Sequence, residues 1–249
     1  MVSGGSDGSS FSDKSIGSLT TNCKIGVLGG IGPEATGIFY RRTIERIQKE
    51  GLVDGNTDFP QIIINSIPAP ELTGEEVTDE DLSSYRGGLR ELDSFGVDFI
   101  VMVCNTIHLY RDRLQEEVRA PILDLRNEVK KALERRDSRS TLVLGTEKTV
   151  KEGLYSFRDI DTRSPSDKEV KELCEAVNKY NKGVGKEQQI EKVRSVTRKY
   201  LENGPECVVA GCTEFALMLE GEDIPMLNTI DVLVDATVER FSSGSHPKT

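Results

Sequence analysis

Two segments of this chain follow one pattern. Residues 101–106 read Val-Met-Val-Cys-Asn-Thr, and residues 209–214 read Val-Ala-Gly-Cys-Thr-Glu. Each is an apolar run that enters a cysteine and meets a threonine within two positions. The echo continues in order. A run into Gly29-Gly30 is matched by one into Gly145-Thr146, and Pro121-Ile-Leu-Asp124 by Pro225-Met-Leu-Asn228. Matched positions lie 104 to 116 residues apart. Four features repeated in one order restrict the chain to two similar units, and 249 residues suffice for two lobes of roughly 100–120 residues each.

Short apolar runs alternate with helical patterns throughout. Strands or extended segments are expected at Lys24–Gly29, Gln61–Asn65, Asp98–Val103, Pro121–Asp124, Thr141–Gly145, Glu206–Ala210 and Ile224–Leu227. Helices are expected at Pro33–Lys49, Glu80–Phe95, His108–Glu117, Arg126–Arg135, Thr149–Ser156, Asp167–Lys182, Lys186–Asn203, Phe215–Leu219 and Asp231–Phe241. Such alternation predicts an α/β fold with parallel sheets covered on both faces. The echo makes it two similar parallel-sheet lobes related by a pseudo-twofold axis, with the active site in the cleft between them. The expected division is a flexible Gly/Ser/Thr-rich tail at 1–22, a first lobe at 24–120 plus 229–241, a second lobe at 121–228, and a loose C-terminus at 242–249.

Composition removes several classes of function. There are 32 Lys+Arg against 42 Asp+Glu, a net charge of −10, so nucleic acid and anionic membranes are not expected partners. No apolar run reaches the roughly 18–20 residues that span a bilayer. The first 22 residues have no apolar h-region and no Arg, unlike a secretory or organellar signal, and the expected location is cytoplasmic. The 2 His argue against a His-rich metal site, and the 5 Cys form no CxxC pair, so reduced thiols are expected. The glycines of Gly26-Val-Leu-Gly-Gly-Ile-Gly32 resemble a dinucleotide fingerprint, but the spacing is wrong for it. The second strand ends in Asn65-Ser66 rather than the acidic residue a ribose needs. No cofactor and no metal is expected.

The chemistry is expected at the strand ends. Ligands of open α/β sheets bind beyond the carboxyl ends of their strands, and a pseudo-twofold would aim Cys104 and Cys212 at each other there. Each cysteine precedes a helix, whose N-terminus favours a thiolate. One thiolate removes a proton from carbon while a thiol on the opposite face returns one, which is the requirement for inverting an amino-acid stereocentre. Helix N–H groups, with Asn105, Thr106 and Thr213, are candidates to hold the substrate carboxylate and the developing enolate. Gly30 and Ile31 after the first strand, and Asn65 ending the second, complete the candidate binding set. Glu214 is either a helix-start acid or a partner for the substrate ammonium. His108, one helical turn after Cys104, either polarises that thiolate or is structural. Cys174 and Cys207 read as small core residues, and Cys23 as incidental.

Ile25-Gly-Val-Leu-Gly-Gly-Ile-Gly-Pro-Glu-Ala-Thr36, Cys104-Asn-Thr-Ile-His108, Thr149-Val-Lys-Glu-Gly-Leu-Tyr155 and Gly211-Cys-Thr-Glu214 resemble the aspartate racemase family, within the cofactor-independent Asp/Glu/hydantoin racemases. The resemblance spans about Lys24 to Phe241. It implies a two-lobed amino-acid racemase without pyridoxal phosphate, often a homodimer, with Cys104 and Cys212 as the catalytic pair and Asn105, Thr106 and Ile107 in a carboxylate-binding turn. The chain departs from the family at Pro70-Glu-Leu-Thr73, where Leu72 stands in place of the usual Arg, and near Asn178, where the family often has Lys. These departures leave aspartate, glutamate or another amino acid as substrate. A cis–trans isomerase of a maleate-like diacid and a non-catalytic amino-acid sensor are the alternative readings.

Overall fold

The computed structural model describes residues 23–70, 72, 76–202 and 204–244. The expected tail at 1–22 and the stretch from 245 onward lie outside them, as do Glu71, Thr73 and Asn203. Two parallel sheets form the frame. In the first, β1 (Lys24–Gly29) lies between β2 (Gln61–Ser66) and β3 (Phe99–Met102). Ile122 extends this sheet by a single parallel bridge to Ile100. In the second, β4 (Ser140–Gly145) lies between β5 (Asp161–Arg163) and β6 (Cys207–Gly211), with β7 (Met226–Asn228) beyond β6. Both sheets therefore follow one order: second, first, third, fourth. The register aligns Leu28 with Met102 and Gly145 with Gly211, so each cysteine-bearing strand ends level with its central neighbour.

The helices follow from local chemistry. α1 (Pro33–Lys49) begins at Pro33, whose fixed φ suits the first helical position. It buries Phe39, Thr43 and Ile47 on one face. Next come α2 (Ser83–Ser94), a 3-10 turn at Thr106–Tyr110 and α3 (Arg111–Gln115). α4 (Leu125–Arg135) is capped by Asp124, whose carboxylate accepts from the N–H of Arg126 at 3.0 Å. α5 (Glu147–Lys151) is capped by Thr146, which accepts from the N–H of Thr149 at 3.2 Å. α6 (Asp167–Asn181) and α7 (Lys186–Leu201) pack on each other. α8 (Thr213–Met218) leaves the end of β6, and α9 (Thr229–Ser242) closes the fold. Asn228 caps α9, accepting from Ile230 N–H at 2.9 Å and Asp231 N–H at 3.4 Å. The echo Pro-x-Leu-Asp/Asn thus has a physical meaning: an apolar residue joins the sheet edge and the next polar one leaves it to cap a helix.

The pleat of the first sheet serves two cores. Val27, Phe99, Val101 and Val103 join a cluster that also holds Val143, Val208 and Leu233. Their neighbours Leu28, Ile100 and Met102 face a second cluster with Leu89, Leu92 and Leu114. The first cluster is continuous between the sheets. α9 adds to that continuity by packing on α1 and α4, and its Asp231 and Asp235 accept from Arg42 (2.8 Å) and Arg46.

Several expectations need correction. Pro121–Asp124 is a bridge, because Asp124 is drawn off to cap α4. The helix expected at Thr149–Ser156 starts earlier and stops at Lys151, since Gly153 adopts φ +63 and reverses the chain. The segment His108–Glu117 is a 3-10 turn followed by a short α-helix. β5 is an addition, a polar edge strand with no apolar periodicity to reveal it. Ser242 belongs to α9 rather than to a loose end. Replacing the α9 cap tests the frame: Asn228→Ala should lower stability by about 1 kcal/mol, seen as a reduced urea midpoint with unchanged slope.

Candidate active site

In each sheet the chain moves to opposite sides of its first strand, and the loops around such a switch point form a crevice. Here four loops from the two sheets meet at one cavity of about 390 Å³. The loop after β1 contributes Ile31 and Gly32, and the loop after β3 contributes Cys104, Asn105 and Thr106. Thr146 follows β4, and Cys212, Thr213 and Glu214 follow β6. Cys174, Asn178 and Asn181 of α6 close one side, and Leu72 and Tyr85 another. The volume falls within the roughly 300–1,000 Å³ of small-molecule sites. A more open groove of about 490 Å³, lined by Tyr40, Ile44, Phe59 and Ile62, holds no cysteine.

Glu214 organises one thiol. Cys212 Sγ donates to Glu214 Oε2 at 2.9 Å, and Thr213 Oγ1 donates to the same oxygen at 2.9 Å. Asn181 Nδ2 holds the other carboxylate oxygen at 3.3 Å. Gly32 makes room for this group. A Cβ there would lie 2.8 Å from Glu214 Oε1, and its φ of +89 is one that side chains disfavour. Burial, followed by the Glu214 charge, holds the Cys212 thiol well above its ordinary range. This corrects the expectation of a thiol drawn toward neutrality by a helix end. α8 has only six residues, and its dipole is outweighed. Cys212 therefore rests as the protonated thiol, while Cys104 is half-buried at the facing strand end.

The turn after Cys104 is held by polar bonds to the second half. Asn105 Oδ1 accepts from the Tyr155 hydroxyl, and Asn105 Nδ2 donates to Thr229 Oγ1 at 3.1 Å. Thr106 Oγ1 lies 3.1 Å from both Thr146 Oγ1 and Thr149 Oγ1. His108 is fully buried, which lowers its pKa to about 4, so the ring is neutral. Its Nε2–H donates to the Met102 carbonyl at 3.2 Å. It secures the end of β3 and supplies no positive charge to Cys104.

Of the residues expected in the site, Ile31, Cys104, Asn105, Thr106, Cys212, Thr213 and Glu214 line the cavity. Gly30, Asn65 and Ile107 do not. Gly30 N–H is bound to Thr36 Oγ1 at 3.1 Å. Asn65 Nδ2 is turned toward α2, donating to Glu91 Oε2 at 2.7 Å and the Gly88 carbonyl at 3.1 Å. Ile107 is buried in the second core. Cys174, read as a core residue, instead lines the cavity. Asn178, noted as a departure from the family, is also on the wall, whereas Thr146 and Asn181 were not among the expected site residues. Thr146 was visible as the counterpart of Gly30 in the echo. Cys174, Asn178 and Asn181 share one helix face, a polar stripe on an otherwise amphipathic segment. Among the described residues, no group of three or more His, Cys, Asp or Glu side chains is placed to hold a metal ion, and no helix is long and apolar enough to cross a membrane.

Two α/β lobes of like topology with paired strand-end thiols in a shared cleft define a class of two-lobed small-molecule enzyme folds. The Asp/Glu/hydantoin racemase profile matches residues 28–237, and the chain belongs to that family. The broad specificity amino-acid racemase RacX of Bacillus subtilis (strain 168) is 25% identical over 226 residues, covering 87% of this chain and 97% of that protein. PH1733, an aspartate racemase homologue from Pyrococcus horikoshii OT3, superposes with a TM-score of 0.69 at 25% identity, covering 88% of this chain and 99% of that one. The aspartate racemase of Picrophilus torridus shares the fold with a TM-score of 0.72 at 21% identity, covering 91% and 96%.

The Cys212–Glu214 contact gives a signed expectation. Glu214→Gln removes the charge that disfavours the thiolate, so the Cys212 pKa should fall. In a pH series of iodoacetamide alkylation read by peptide mass spectrometry, the Cys212 midpoint should move to lower pH. An unmoved midpoint would exclude Glu214 as its modulator.

Proposed function

We propose that this protein is a cofactor-independent amino-acid racemase of the aspartate/glutamate type, with Cys104 and Cys212 as its two bases. The observation that carries the reading is that both cysteines, at equivalent strand ends of two like sheets, line one cavity of about 390 Å³. In one direction the Cys104 thiolate takes the Cα proton, and the C–H electron pair passes into an enolate. The Cys212 S–H bond then breaks to give its proton to the opposite face. The enzyme is left with a Cys104 thiol and a Cys212 thiolate, poised for the other enantiomer. Glu214 holds the Cys212 proton until it is needed. Donors on Thr213 and around Asn105 stabilise the carboxylate as negative charge develops on it.

The cavity wall supports a substrate range wider than one acidic amino acid. Leu72, Tyr85, Val177 and Phe215 present apolar surface, whereas Lys171 offers a cation at the exposed rim. The broad specificity of the Bacillus subtilis relative agrees with this. Small-molecule amino acids are thus the partners proposed, and the homodimer implied by the resemblance and a cytoplasmic location remain part of the same proposal.

Incubating the protein with single-enantiomer amino acids in deuterated water, without cofactor, should yield the opposite enantiomer carrying deuterium at Cα. Cys104→Ser and Cys212→Ser should each reduce racemisation by roughly 10³-fold or more, as expected when one half of a coupled acid–base pair is removed. Full activity in either variant would defeat the two-thiol mechanism.

A further inference from the structure

We infer that Tyr155 is a positioning residue, a buried spacer that sets the separation of Cys104 and Cys212. The inference rests on the two-thiol reading above. Tyr155 touches the neighbours of both thiols. A Cβ on Gly211 would lie 3.0 Å from the Leu144 carbonyl oxygen and 3.1 and 3.2 Å from Tyr155 Cε2 and Cδ2, so the ring packs tightly against the residue just before Cys212. At its other end the hydroxyl donates to Asn105 Oδ1, on the residue just after Cys104. One rigid side chain thus spans from the end of β6 to the turn after β3. A second link closes the loop: Asn105 Nδ2 donates to Thr229 Oγ1 at 3.1 Å, and Thr229 Oγ1 donates to the Ala210 carbonyl at 2.8 Å. Asn105 is therefore tied twice to the last residues of β6.

The site demands such a tie. A proton must leave one face of a carbon and arrive on the other, so the sulfur-to-sulfur distance governs whether both transfers are made in one encounter. Misplacement of a reacting group by about 1 Å can cost on the order of 10²-fold in rate. Tyr155 is 1% exposed and is not part of the cavity wall, so it reaches the substrate only through Asn105 and Gly211. Burial, with the nearby Cys104 and Cys212 charges, keeps its phenol protonated through either half of the cycle. Its donor role is then the same whichever thiol holds the proton.

The test compares the protein with Tyr155→Phe, Thr229→Val and Thr229→Ser. Tyr155→Phe keeps the ring and loses the hydroxyl tie. Its kcat should fall roughly 10- to 100-fold while KM changes by less than about threefold. The deciding quantity is the ratio of Cα deuterium exchange without inversion to racemisation. In Tyr155→Phe each thiol still takes a proton but the return from the opposite face is delayed, so this ratio should rise several-fold. Thr229→Val should shift it in the same direction and Thr229→Ser should restore it. A loss of folded protein would lower exchange and inversion together, and an unchanged ratio would overturn the inference. Thiol geometry is read independently with dibromobimane, which fluoresces when it bridges two thiols, with Cys174→Ser in every protein. Bridging should slow in Tyr155→Phe at an unchanged rate of first alkylation, and equal bridging would overturn the spacer. If the unmodified protein neither exchanges nor inverts any amino acid, the racemase reading fails while the bridging assay still decides the spacer.

Discussion

Two sulfur atoms on different sheets have no covalent reason to stay a fixed distance apart. Each is positioned well within its own lobe, because a parallel ladder fixes where β3 and β6 end. What fixes one relative to the other is the matter packed between the sheets. The continuous apolar cluster supplies bulk without direction, since dispersion and burial are indifferent to a small sliding of one face over another. Direction comes from the polar bonds that cross between the halves. The Asn105 ties and the contacts of Thr106 with the Thr146 and Thr149 hydroxyls are buried or partly buried and angle-dependent. Buried polar bonds of this kind contribute modestly to net stability and strongly to uniqueness, because leaving any member unpaired is costly.

The charge arrangement breaks the symmetry that the topology sets up. Both lobes deliver a cysteine from an equivalent strand, and Cys212 has the Glu214 carboxylate beside it. At the corresponding place after Cys104 stands Thr106, bonded to threonines. Like topology therefore carries unlike side chains after the two cysteines. A two-base step needs the mixed state, because only that state holds one acid and one base.

Much of this was legible before the structure. The strands β1, β4 and β6 are apolar runs ending in glycine, and α1 matches its expected bounds at both ends, with Pro33 marking its start. That Cys104 and Cys212 share one cavity was expected from the echo. What was hidden shares one physical cause: polar side chains whose partners are distant in sequence. Asn65 looks like a strand-end ligand group until α2 offers it Glu91 and the Gly88 carbonyl. His108 looks like a thiolate partner until the Met102 carbonyl accepts its ring N–H. Asn105 reads as a free donor, although both ends of its amide are engaged by residues 50 and 124 positions away. The stripe of α6 on the cavity was missed because a lone Cys on a helix face has the composition of a core position.

The last helix has an implication for how the protein is made. α9 is the last element among the described residues, yet it seats against α1 and α4, and its acids meet Arg42 and Arg46 of α1. During synthesis the opening lobe emerges first but lacks the piece that covers one of its flanks. It stays incompletely sealed until residues 229–242 have been made. The helix that covers α1 and α4 is thus encoded after every strand of both sheets.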